Sequence, residues 1–197
     1  MDNTDNRTLS IMRRRRAMAE PDVLDTSALI NWPLASLERG FVVESQRLEV
    51  DRFSPDRMLS IETVRMNWSS PSRESLEEAT RIASKTGDLG GLSDTDLRLF
   101  ALAIELGGHM HTDDYRLQNL CSSVGLKWSP VESKGISEVW EWEIKCRGCG
   151  VVADGPENTR PAGESVGECI ECGSELRVMK KIIMNAFDHI FQHATTH

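Results

Sequence analysis

The stretch Asp22-Val-Leu-Asp-Thr-Ser-Ala-Leu-Ile30 constrains the fold more than any other part of the chain. It is an apolar run broken by one acid, Asp25, with Thr26 and Ser27 directly after it. Val23-Leu24 fits a buried parallel strand. Ser27, or Thr26 before it, can cap a helix that starts at Ala28. Asp25 then stands at the carboxyl end of a strand and faces a helix N-terminus, the place where ligands bind in open α/β sheets. A lone buried carboxylate is costly, and a metal ion is one partner that offsets the cost. A turn-capping aspartate is the other reading.

The following residues alternate strand and helix. Residues 33–40 read as a short irregular or helical connection and 41–44 as a second strand. Ser45 can cap a helix over 46–53, which Ser54-Pro55 stops, with Glu49 one turn in. Residues 58–67 read as a third strand, with poor alternation. The spacing of Leu76, Ala79 and Ala83 predicts a helix over 73–86, closed by Gly87. Ser93 caps the strongest helix, 94–106, which turns Leu97, Phe100, Ala101 and Ile104 inward. Asp96 is its third residue, where a carboxylate reaches back to the cap. A strand at 109–112, a helix over 115–124 and a strand at 126–131 complete the series. The fold class is therefore α/β over residues 20–128, a doubly wound, mostly parallel sheet with helices on both faces.

Around this unit, residues 1–19 read as a disordered basic tail carrying Arg7 and Arg13 to Arg16. Residues 129–138 read as a linker. Residues 139–181 form a small β unit that opens on Val139-Trp-Glu-Trp-Glu-Ile144, and 182–197 a terminal helix. The formal net charge of the 197 residues is −8, which argues mildly against a nucleic-acid binder. That objection weakens if the acids gather around bound cations, which reverse the local field. No stretch approaches the ~20 apolar residues of a membrane span. No apolar segment follows the arginine run, so a signal peptide is not expected and the cytoplasm is the expected compartment.

Two constellations carry chemistry. The first is acidic. Asp25 and the Asp113–Asp114 pair follow strands, while Glu49 and Asp96 occupy first turns of helices. In a doubly wound fold these positions share one sheet edge. Carboxylates converging there raise one another's pKa. Mg²⁺ or Mn²⁺ between them relieves the repulsion, and two such ions suit phosphodiester hydrolysis. Each acid also has a structural reading: Asp96 as a capping-box partner, Asp114 as a helix cap and Glu49 on a solvated face.

The second constellation is Cys146-x-x-Cys149 and Cys169-x-x-Cys172, with 19 residues between the pairs and glycine after each, Gly150 and Gly173. This spacing predicts a four-thiolate, structural Zn²⁺ site with no open position for catalysis. Disulfides are the lesser reading in a reducing compartment. Cys121 reads as a helix core residue. Trp140, Trp142, Lys145, Arg147, Arg160, Arg177, Lys180 and Lys181 mix aromatics with cations and can stack on bases and hold phosphates; the tryptophans can equally pack the small unit on its neighbour. His189 and His193 lie one helical turn apart and read as a solvated helix end.

Three segments resemble the signatures of the PIN-domain ribonucleases: Val23-Leu-Asp25-Thr-Ser-Ala-Leu-Ile, Leu92-Ser-Asp-Thr-Asp96-Leu-Arg-Leu-Phe-Ala-Leu-Ala103, and Thr112-Asp-Asp-Tyr-Arg-Leu-Gln-Asn119. The resemblance covers about residues 21–128. It implies that Asp25, Glu49, Asp96 and Asp114 or Asp113 are the four acids that hold catalytic Mg²⁺ or Mn²⁺. Glu44 rivals Glu49, because the usual proline and valine pair is missing around it. His109 and His111 stand where the family has plain apolar strand residues.

A PIN domain followed by a zinc ribbon resembles the archaeal form of the site-D endonuclease family. That resemblance implies single-strand cleavage at the 3′ end of precursor small-subunit rRNA, leaving a 5′-phosphate and a 3′-hydroxyl. It implies the pre-ribosomal small subunit and its assembly factors as partners, and neither a membrane nor a small-molecule substrate. The alternatives are a toxin-type PIN ribonuclease and a catalytically degenerate RNA-binding assembly factor.

Overall fold

The computed structural model describes residues 20–136, 138–154 and 163–185. The expected tail at 1–19, Arg160, and the pair His189 and His193 lie outside the described residues.

Five short strands build a wholly parallel sheet: β1 (Asp22–Leu24), β2 (Phe41–Val43), β3 (Asn67–Ser69), β4 (His109–His111) and β5 (Trp128–Ser129), in the spatial order β3-β2-β1-β4-β5. The strand that begins at Asp22 is central, and the order reverses beside it. That reversal opens a crevice at the carboxyl ends of β1 and β4. Helices cover both faces: α1 (Thr26–Asn31), α2 (Gln46–Phe53), α3 (Pro55–Ile61), α4 (Arg73–Thr86), α5 (Asp94–Leu106) and α6 (Tyr115–Ser123).

Strand alternation divides the core in two. Val23, Val43 and Met110 bury with Phe100, Leu117 and Leu120. Leu24 and Val42 bury on the other side with Leu29, Leu37 and Ile61. In α5, residues Leu99 to Ala103 are all buried, whereas Leu97 and Ile104 are half-buried. The helix is covered on more sides than a single inward stripe allows, because α4, α6 and the sheet all pack on it.

The third strand falls elsewhere than its expected place. Residues 55–61 form α3, with Pro55 at the first helical position and the Ser54 side chain accepting from Arg57 N–H. The strand is the three edge residues Asn67–Ser69.

The second sheet is antiparallel, ordered β7-β6-β9-β8: β6 (Glu138–Cys146), β7 (Val152–Asp154), β8 (Ser165–Glu168) and β9 (Glu175–Asn185). Ile182 to Asn185 continue β9 against β6 and do not open the expected helix. Their ladder partners, among them Val139 and Trp140, hold them extended.

The segment expected as a linker is tied down. Asp113 accepts from the N–H groups of Val131, Glu132 and Ser133. Gln118 Oε1 accepts from Ile136 N–H. Asn119 then grips β6, accepting from Trp140 N–H at 3.0 Å and donating to its carbonyl at 3.2 Å. Asp88, buried in the turn after α4, accepts from Asn119 Nδ2 at 2.8 Å and fixes that amide.

Candidate functional site

Asp25 caps α1 from the end of β1, as its sequence position requires. Its backbone carbonyl accepts from Ala28 and Leu29, and its own N–H donates to the His111 carbonyl of β4. Three donors surround the carboxylate: Thr26 N–H at 2.6 Å, Ser27 Oγ at 3.1 Å and Thr112 Oγ1 at 2.7 Å. The residue is 8% exposed. Burial pushes its pKa up to about 6 against these donors, with Asp96 adding to the rise.

The other acids arrive from separate elements. Glu49, in the first turn of α2, accepts from Thr26 Oγ1 at 2.7 Å. Gln46, one turn earlier, locks that helix to the sheet: it accepts from Val43 N–H and donates to the Leu24 carbonyl. Asp96 closes the expected capping box with Ser93. Burial raises its pKa against the Ser93 donors, and the charges of Asp114 and Glu49 raise it further. Asp114 caps α6, and its N–H donates to Thr112 Oγ1.

The structure thus brings Asp25, Glu49, Asp96 and Asp114 within electrostatic reach through Asp96. None of the ion pairs among the described residues involves these four. Carboxylates that raise one another's pKa, with no ion pair among the described residues, are a setting that a hard divalent ion relieves.

Two candidates fall outside the cluster. Asp113 spends its carboxylate on three amides of 131–133. Against a rise from burial, those donors hold its pKa below the ordinary value. Glu44 is exposed and pairs with Arg47 at 2.8 Å. The sequence places Thr112 at the head of the third signature without giving it a role; it is fully buried and donates to Asp25. Gln46, Gln118 and Asn119 were missed by sequence reasoning. A polar residue on the buried side of a helix is the one signal that marks them.

The four cysteines of the C-x-x-C pairs come together in the second sheet, with every sulfur within 4.8 Å of the others. Cys146 and Cys172 are 3.4 Å apart, and Cys149 and Cys169 are 3.6 Å apart. Gly150 and Gly173 hold φ of 76° and 70°, the left-handed turns expected after each knuckle. Four sulfurs this close are the donor set that a zinc-ribbon site uses. Cys121 is fully buried in α6, as expected.

The tryptophans divide between roles. Trp142 packs on Gly87, at the end of α4. Lys180 Nζ lies 4.3 Å from the Trp140 ring centroid.

Comparison with known proteins agrees with this geometry. A family model for the PIN domain of ribonuclease matches residues 23–106. The chain is 30% identical to the endoribonuclease Nob1 of Methanothermobacter thermautotrophicus over 165 residues, covering 81% of this chain and 91% of that protein. It is 36% identical to Nob1 of Pyrococcus abyssi over 111 residues, 56% of this chain and 64% of that protein. It is 33% identical to ribonuclease VapC1 of Thermoplasma acidophilum over 156 residues, 79% of this chain and 76% of that protein. With the four acids, the parallel sheet and the cysteine ribbon in one chain, the protein belongs to the Nob1-type PIN-domain endoribonucleases.

Proposed function

We propose that this endoribonuclease makes the 3′-end cut of precursor small-subunit rRNA, in the cytoplasm, on the pre-ribosomal small subunit and beside its assembly factors. The observation that supports the reading is the pairing of an acidic cleft, whose four acids make no ion pair among the described residues, with a cysteine ribbon anchored to the same sheet domain. Asp25, Glu49, Asp96 and Asp114 hold Mg²⁺ or Mn²⁺, and Cys146, Cys149, Cys169 and Cys172 hold Zn²⁺. When bound, the Mg²⁺ or Mn²⁺ ions supply an activated water and charge stabilisation at the leaving oxygen.

The chain's own residues set the acids. Thr112 and Thr26 orient Asp25 and Glu49, and Ser93 orients Asp96. The ribbon contributes RNA grip through Lys145, Arg147, Lys180 and Lys181, while Trp142 serves to seat it. The catalytic cleft reads little sequence, so the ribbon selects the site. Asp113 acts as a tether for the connection to the ribbon. A toxin-type ribonuclease is the second reading, favoured by the VapC1 likeness; an anchored ribbon gives such an enzyme no evident use.

The test is cleavage of an RNA spanning the small-subunit 3′ end with Mn²⁺, comparing wild type with Asp25→Asn. One cut, abolished by the substitution with binding retained, is expected. Binding without a cut by either protein would overturn the enzymatic reading, and cuts scattered along unrelated RNAs would favour the toxin type.

A further inference from the structure

A second cluster of metal-ligating side chains lies beside the acidic cleft and outside its chemistry: Asp22 on β1, with His109 and His111 on β4. Parallel pairing sets Asp22 opposite His109 and Leu24 opposite His111. Residues two apart on a strand share a face. The His-x-His of β4 therefore presents both imidazoles on the side where Asp22 projects. One ligand atom from each of the three lies within 4.8 Å of the other two. His111 Nε2 is 2.8 Å from Asp22 Oδ1. The two rings stack with centroids 4.5 Å apart, and Trp32 meets His111 edge-on at 4.9 Å. His109 Nε2 bonds Ser129 Oγ at 2.8 Å. The histidines are half-buried, while Asp22 is exposed, which gives an ion an entry path.

We propose that Asp22, His109 and His111 form a second metal site, for a divalent transition ion of the zinc class. Two imidazoles and one carboxylate are the donor set that such ions favour, whereas Mg²⁺ and Ca²⁺ take oxygen ligands. The ligand separations in a tetrahedral site, roughly 3.3–3.5 Å for bonds of about 2.0–2.1 Å, are reached by turning the exposed Asp22 and one ring. Ser129, already on His109, holds that ring in the manner of the outer partners of metal-binding histidines. The ion ties β1 to β4. These are the strands that deliver Asp25 and Thr112, and the His111 carbonyl already accepts from Asp25 N–H. Its role is to brace the cleft; the chemistry stays with the four acids.

The test is zinc content of the full chain in an Asp25→Asn background, which removes binding by the acidic cleft. After equilibration with micromolar Zn²⁺ and desalting, two zinc ions per chain are expected. Cys172→Ser lowers the count by one. Asp22→Asn, on an exposed side chain that the fold tolerates, and His109→Gln each lower it by one as well, while far-UV circular dichroism stays unchanged. Thermal unfolding with added Zn²⁺ shifts upward for the parent and not for Asp22→Asn. One zinc per chain in the parent, or two retained in both Asp22→Asn and His109→Gln, overturns the proposal. Because none of these readouts is cleavage, the proposed rRNA activity and the site can fail independently.

Discussion

Thr112 Oγ1 donates to Asp25 Oδ2 at 2.7 Å while accepting from Asp114 N–H at 3.0 Å, so one fully buried hydroxyl sets two acids of the cleft. Thr112→Val keeps the shape and removes both bonds. The buried partners left without them cost about 1–3 kcal/mol of stability. With its positioning lost, kcat falls roughly 10–100-fold. The Thr112 donor lowers the pKa of Asp25, so the acid limb of the pH–rate profile also moves to higher pH in the variant. Unchanged kcat and an unmoved limb would refute this role; chemical denaturation and single-turnover cleavage are the measurements.

Asp25 itself destabilises the metal-free fold. Its carboxyl titrates near 6 when folded, against an ordinary 3.8. The native state therefore holds the proton more tightly than the unfolded chain does. This contribution to stability is full below about pH 4 and is lost as pH rises through 6. At pH 7 the deficit is about 3 kcal/mol. Asp25→Asn raises the unfolding midpoint in EDTA at pH 7 while abolishing cleavage, and the gain vanishes at pH 4. Equal midpoints at both pH values would contradict the burial argument.

The same proton competes with the metal. Below pH 6 the apparent affinity of the cleft for Mn²⁺ drops by about tenfold per pH unit, because the ion must displace it. Isothermal titration at several pH values reads this slope. A flat profile between pH 5 and 6 would show that Asp25 is not a ligand.

Gly87 closes α4 at φ 78°, and a Cβ there falls 1.9 Å from Trp142 Cδ1. Gly87→Ala costs about 1 kcal/mol for the left-handed backbone alone. It also pushes the ribbon off the sheet domain. Limited proteolysis between residues 130 and 137 is expected to accelerate about tenfold. Cleavage of a short single-stranded RNA persists, while selection of the cut site degrades. An unchanged digestion rate would mean that Trp142 does not seat the ribbon.

Thiol reactivity separates the five cysteines. Chelation of the ribbon metal frees four, of which Cys149 and Cys172 are already exposed. Burial pushes the pKa of Cys121 above any physiological value. A colorimetric thiol assay in chelator therefore counts four fast groups, and the fifth reacts only in denaturant. Fast reaction of Cys121 would mean that metal loss opens the sheet domain too.

What was legible in the sequence was local. Asp25 between a strand and a helix, Ser93 with Asp96, Gly87 after α4 and the two cysteine knuckles all declare themselves within a few residues. Each resolves a backbone need that the chain meets on the spot, a free amide or a left-handed turn. What escaped was tertiary. The strand at Asn67–Ser69 is too short for alternation to show, and its place is set by pairing with β2. Gln46, Gln118 and Asn119 look like solvated residues until folding closes backbone around them, and Asp88 until the Asn119 amide reaches it. Asp113 and Asp114 are neighbours of like chemistry, and only the path of 131–133 separates their tasks.

The grip of Asn119 on Trp140 has a consequence for how RNA is measured. A reader domain on a free tether samples many distances, and its enzyme must recognise letters at the scissile bond. Here both ends of the gauge are bolted to the same helix, α6, which Asp114 caps and on which Asn119 sits. On the proposed reading, the span from gripped RNA to severed phosphate becomes a fixed length, and the position of the cut is counted in ångströms and not in bases.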